Sequence, residues 1–152
     1  MPGGHGATSG VGLPFSGAHW VDNVARHACR DPDGVALRFE GRSITWSALD
    51  ARVRRAASAL AKAGVGKGDR VVVLMTNRPE FIEVTLAANA LGAIAVPVNF
   101  RLAPREVAYV LSDSEASLVA TDVLLAGLAA SAQAASGSQV PTLVVGQEEE
   151  EG

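Results

Sequence analysis

Apolar positions along this chain switch between periods of about two and about 3.6 residues, and those switches mark the elements. Trp20, Val21, Val24 and Ala28 recur at helical spacing and stop before the turn sequence Asp31-Pro32-Asp33-Gly34. Val35 to Phe39 and Arg42 to Thr45 flank Glu40-Gly41, which predicts a short hairpin. Trp46, Leu49, Val53, Ala56, Ala57 and Leu60 then trace one face of a helix, with Arg52, Arg55 and Lys62 on the other. Thr45 is placed to cap that helix, its hydroxyl accepting a bond from a free N–H of the first turn. A full capping box would want Glu or Gln at position 48, where the chain has Ala48.

Gly64 ends this helix, and Lys67-Gly68-Asp69 turns into the run Val71 to Met75. An unbroken apolar run of that length predicts a strand buried on both faces, as in parallel sheets. Pro79 suits the first turn of the next helix, where its missing N–H costs nothing. Phe81, Ile82, Val84, Leu86, Ala87, Ala88 and Leu91 surround that helix, so deep burial is expected. A strand over Ala93 to Val98, a helix from Pro104 to about Leu111 and a strand over Leu118 to Thr121 follow. An Ala-rich helix from Val123 to about Ala135, a loop over Gln133 to Gln139 and a strand over Thr142 to Val145 complete the pattern. Strands alternating with helices predict an α/β fold with a mostly parallel, helix-covered sheet. Residues 1–17, rich in Gly, Pro and Ser, are expected to be a flexible tail. Residues 18–146 form the folded unit and 147–152 an acidic, solvated tail.

Composition narrows the function classes. At 152 residues, 48% apolar and 19% charged, the chain has the makings of one globular core. A net charge of −3 offers no electrostatic case for nucleic acid. The one cysteine, Cys29, excludes an internal disulfide framework and fits a reducing, cytoplasmic setting. Met1 to Pro14 has neither a basic start nor an apolar run, so no secretory leader is expected. The dense apolar stretch from Phe81 to Val98 is broken by Glu83, Asn89, Gly92 and Pro97, which favours buried core over a membrane span.

Candidate chemistry is sparse. Gly64-x-Gly66-x-Gly68 follows a helix and precedes a strand, the reverse of a phosphate loop, and reads as a turn. Thr76-Asn77-Arg78 lies at the carboxyl end of a strand, where ligands of open α/β sheets gather; helix capping by Thr76 or Asn77 explains it as well. His5, His19 and His27 with Cys29 lack structural-zinc spacing. Ser112-Asp113-Ser114 reads as a helix end and turn.

Five phrases between Ser43 and Asp122 carry a resemblance. They are Ile44-Thr45-Trp46-Ser47-Ala48-Leu49, Gly64-Val65-Gly66-Lys67-Gly68-Asp69-Arg70-Val71, Asn77-Arg78-Pro79-Glu80-Phe81, Leu91-Gly92-Ala93-Ile94-Ala95-Val96-Pro97-Val98-Asn99 and Leu111-Ser112-Asp113-Ser114. In that order and spacing they resemble the N-terminal part of the adenylate-forming acyl-CoA synthetases, most closely the fatty-acid CoA ligases. Ala48 departs from that family's usual phrase. The resemblance implies the N-terminal subdomain of that family's large domain. It also implies a parent enzyme in which ATP and a carboxylate give an acyl adenylate, from which the CoA thiol displaces AMP. The loop after the Ala93–Val98 strand lies on the side of CoA approach in that family, so Asn99 and Arg101 are candidates for that surface. Arg101 could meet a phosphate through paired, charge-assisted bonds; a turn residue and a solvated arginine are the other reading.

The family's chemistry needs a Ser/Thr/Gly-rich loop ending in Pro-Lys, an acidic residue for Mg²⁺, an aspartate on the ribose and a lysine from a mobile C-terminal domain. None of these occurs here, and Lys62 and Lys67 are the only lysines. The expectation is a portion inactive alone that binds ATP, Mg²⁺ or CoA tightly only as part of its parent. Its partners would be the rest of the large domain and the C-terminal domain, with a fatty acid as the parent's substrate. Peripheral membrane contact and a homo-oligomer stay open. The rival class is a short, non-catalytic α/β binding module; an unrelated flavodoxin-like domain is disfavoured by the five ordered phrases.

Overall fold

The computed structural model describes residues 20–146. The expected tails over 1–17 and 147–152, and His5 and His19, lie outside them. The element order is α1 (Asp22–Arg30), β1 (Val35–Phe39), β2 (Arg42–Thr45), α2 (Trp46–Lys62), β3 (Arg70–Leu74), α3 (Pro79–Ala90), β4 (Ile94–Pro97), α4 (Pro104–Asp113), β5 (Leu118–Asp122), α5 (Ala126–Ser136) and β6 (Thr142–Val145). β1 and β2 pair antiparallel around Glu40 and Gly41, both at positive φ, as a two-residue hairpin turn requires. The remaining strands make a four-stranded parallel sheet in the order β4-β3-β5-β6.

β3 is central, and Val71, Val72, Val73 and Leu74 are wholly buried. Its pleat splits them. Val71, Val73 and Met75 join Leu49, Val53 and Leu60 of α2 and Val84, Ala87 and Ala88 of α3. Val72 and Leu74 join Val107 and Leu111 of α4 and Ala129 and Ala132 of α5 on the opposite face. Each such Val or Leu contributes about 1.5–3 kcal/mol through burial. The helices thus cover both sheet faces, the expected parallel architecture. β4 lies at an edge, where Pro97 costs no ladder bond and Ile94 is half exposed.

Thr45 caps α2 as its sequence position predicts, accepting a hydrogen bond from the Ala48 N–H at 3.2 Å. In α4 the Glu106 carboxylate accepts from the Ala103 N–H at 2.7 Å. This is half a capping box, because an alanine side chain has no acceptor to complete it.

Two expectations are corrected. α3 is not buried all round: Ile82 is exposed, Phe81 and Leu91 are half-buried, and Glu83 is buried instead. With the sheet below and α2 alongside, the helix leaves one stripe to solvent, and the charged residue falls in the inter-helix seam. The loop expected from Gln133 begins later, because α5 runs to Ser136 and ends at Gly137 with φ +70°. Glycine adopts that left-handed cap without a Cβ clash. Among the described residues, no helix is long and apolar enough to cross a membrane.

Candidate functional site

Parallel strands deliver their following loops to one end of the sheet, and a crevice opens where successive connections leave on opposite faces. Here β3 leads into α3 on one face and its neighbour β5 leads into α5 on the other. The last residue of β5, Asp122, fills that crevice. One carboxylate oxygen accepts from the Thr76 N–H at 2.9 Å and the Thr76 hydroxyl at 2.7 Å. The other accepts from the Leu125 N–H at 3.0 Å. Burial alone would raise the Asp122 carboxyl. The bonds from the Thr76 N–H and hydroxyl and the Leu125 N–H, with the Arg78 charge, outweigh it and hold the group below its ordinary value. Two N–H groups that could receive a phosphate here already serve an internal anion, which itself repels a second. The crossing is a structural clasp.

Asp122 was not among the residues singled out by the sequence; the available signal was an acid at a strand end, just ahead of the turn into a helix. Capping of α3 by Thr76 or Asn77 is also corrected. The N-cap position falls at Arg78, which is extended and makes no side-chain cap bond, and Pro79 opens the helix. Thr76 is drawn to Asp122 instead, and Asn77 is exposed.

Arg78 grips Glu80 with two bonds, Nε to Oε2 at 2.8 Å and Nη2 to Oε1 at 3.2 Å. That pairing raises Arg78, and it lowers Glu80 despite its partial burial. The guanidinium lies against Gly146, where any Cβ would collide with it. Nearby, Glu83 sits buried with Arg52 Nε 3.1 Å from its Oε1. The approach suffices for an ion pair but is misaligned for a hydrogen bond. Desolvation therefore pushes the Glu83 carboxyl up, only partly offset by Arg52. Arg52, Arg55, Glu80, Glu83, Leu143 and Gly146 line a cleft of about 440 Å³ between α2, α3 and the β6 edge.

The other candidates are separate. Asn99 accepts from the Arg101 N–H at 3.0 Å through its side-chain oxygen, a turn that starts the loop after β4. Arg101 is exposed, its guanidinium carbon 5.7 Å from the Phe100 ring centroid. Gly64 and Gly68 hold positive φ in the turn between α2 and β3, and Asp69 accepts from the Gly66 N–H at 2.8 Å. His27 stacks on Trp46 at 4.4 Å, and Cys29 is exposed. Among the described residues, no group of three or more His, Cys, Asp or Glu could hold a metal ion.

The profile of the AMP-binding enzyme family matches residues 24–151. The chain belongs to that family. A 3-hydroxybenzoate–CoA/4-hydroxybenzoate–CoA ligase of Thauera aromatica is 47% identical over 88 residues, covering 58% of this chain and 17% of its own length. A long-chain-fatty-acid–CoA ligase of Mycobacterium tuberculosis is 45% identical over 76 residues, covering 50% and 15%. The solved N-terminal domain of a Mycobacterium tuberculosis protein, FACL13, superimposes with a TM-score of 0.76 at 31% identity, covering 82% of this chain and 33% of that one. The chain thus spans less than a fifth of the length of these curated relatives. At the sheet crevice Asp122 already accepts from the N–H groups of Thr76 and Leu125.

Proposed function

We propose that this chain is the N-terminal portion of an ATP-dependent acid–thiol ligase, one that joins a carboxylic acid to CoA through an acyl adenylate. The family match over residues 24–151 carries the reading. The ligase names of relatives that match this portion support it. The acid proposed is a fatty acid, from the ordered phrases and the long-chain relative. A preference for hydroxybenzoate would revise that choice, since a hydroxybenzoate ligase matches over a longer stretch at slightly higher identity. The setting proposed is the cytoplasm.

In this reading the chain builds one wall of the large domain. The free edge of β6 and the charged cleft beside it receive the remaining sheet and helices, and the Asn99–Arg101 loop lies on the side of CoA approach. Alone, the chain neither forms an adenylate nor holds ATP, Mg²⁺ or CoA tightly. Purified chain should therefore exchange no pyrophosphate into ATP with any fatty acid, whereas the longer protein should form acyl-CoA. Exchange by the 152-residue chain itself would overturn the first half of that statement. One feature favours a second reading, a self-sufficient binding module: helices cover both faces of the sheet within this portion. Such a module would unfold cooperatively and stay silent to a hydrophobic dye.

A further inference from the structure

An apolar groove with a cationic rim is left unused by the ligase reading. It starts as a hollow of about 440 Å³ between α1, β1, α2 and α3, lined by Trp20, Arg26, Leu37, Trp46, Ile82 and Leu86 among others. Past Leu37 and Ile82, which border both spaces, it continues into a second hollow of about 260 Å³ bounded by Arg38, Phe39, Asn77 and Phe81. The groove therefore ends at the loop after β3. Hollows of this size, apolar along their length with a few polar groups at fixed points, suit one small ligand. Trp20 and Ile82 are 48% and 39% exposed, and an open apolar surface rimmed by polar residues marks a binding groove.

Charge decides the class of ligand. Among the described residues that line the two hollows none is Asp or Glu, while Arg26, Arg38 and Arg78 are all cationic. Arg78 is already held by Glu80. Arg38 is exposed and in no ion pair among the described residues, and Asn77 is exposed on the same hollow. We propose that the groove binds an aliphatic carboxylate, its head on Arg38 through charge-assisted bonds and its tail over Leu37 and Ile82 toward Trp46. A cationic ligand would be repelled by this rim, and an uncharged one would leave Arg38 unused. Two hollows in series favour a long, narrow tail; a single aromatic ring would fill only one of them. This is a resting place for the free acid, apart from the reacting groups that the chain lacks. The lining of the groove alone carries it, so it does not depend on the ligase reading.

The test uses an accident of composition: the chain has two tryptophans, and both line this groove. Intrinsic fluorescence of the 152-residue chain therefore reports on the groove alone. Dodecanoate, added below its micelle concentration, should shift the emission to the blue, lower acrylamide quenching and saturate at one per chain. Arg38→Glu should weaken dodecanoate about tenfold or more, the loss of one charge-assisted contact, and leave dodecanol nearly unchanged. Ile82→Glu should weaken both, because it places a charge where the tail lies. In the unaltered chain, nuclear Overhauser contacts should link the dodecanoate methylenes to the Trp46 indole and the Ile82 methyls; these contacts alone decide the matter if a variant fails to fold. An emission that does not saturate with dodecanoate, or absence of the contacts, would overturn the proposal. So would Arg38→Glu with equal effect on acid and alcohol, which would mean an apolar surface with no place for a carboxylate. None of these readouts involves ATP or CoA, so the inference can fail while the ligase reading stands, and the reverse.

Discussion

Asp122 makes three hydrogen bonds from full burial, linking β5 to the residue after Met75 and to the start of the turn into α5. Asp122→Ala strands two backbone N–H groups and a hydroxyl, and should cost about 2–4 kcal/mol in urea unfolding at pH 7. Because its folded pKa is depressed, that stabilisation is complete above the ordinary value of 3.8. The part due to its charge is lost as pH falls through the lower folded value, so the gap between wild type and variant should narrow in acid. Glu83 works with the opposite sign. Its folded pKa is raised, so its favourable contribution exists below the ordinary 4.5 and disappears as pH rises through the folded value. Glu83→Gln should match wild type near pH 4 and become the more stable protein toward pH 8. Its partner Arg52, with 34% of its side chain exposed, loses little when left to water. Neither residue's role could be read locally. The clasp needs β3 and β5 to become neighbours across 46 residues, and Glu83 registers in the sequence only as a break in an apolar run.

At the level of elements, legibility followed the strength of local patterning. The run Val71 to Met75 has one stable solution, a central strand covered on both sides, and β3 takes it. Thr45 caps α2 because its hydroxyl position is set by three residues of local geometry. α5 was harder, since an Ala-rich helix carries almost no apolar face, and Gly137 rather than side-chain character decides its end. The start of α3 misled for a related reason: Thr76 and Asn77 are good caps in isolation, but a long-range bond to Asp122 outcompetes that role. α2 has no acid in its first turn. Ala48→Glu supplies one at the third helical position, beside the free N–H groups, and should stabilise the chain by about 0.5 kcal/mol. A melting curve at low ionic strength would register it. Added salt should shrink the gain, and a destabilised variant would show that Ser47 and Thr45 already saturate this turn.

Among the described residues, four parallel strands between two helix layers form the core, and the β6 edge, the charged cleft beside it and the groove around Trp46 lie at its surface. The family and the fold could be read from ordered phrases and periodicity, because both are written in residues close in sequence. The reacting groups could not, because the motifs that would supply them are absent from this chain. Size and activity in the source cells test the central claim most directly. Protein captured with an antibody against this chain should migrate several-fold above 15.6 kDa and convert fatty acid, ATP and CoA to the thioester. A captured species of 15.6 kDa that makes no thioester would contradict the ligase account and leave the self-sufficient binding module in its place.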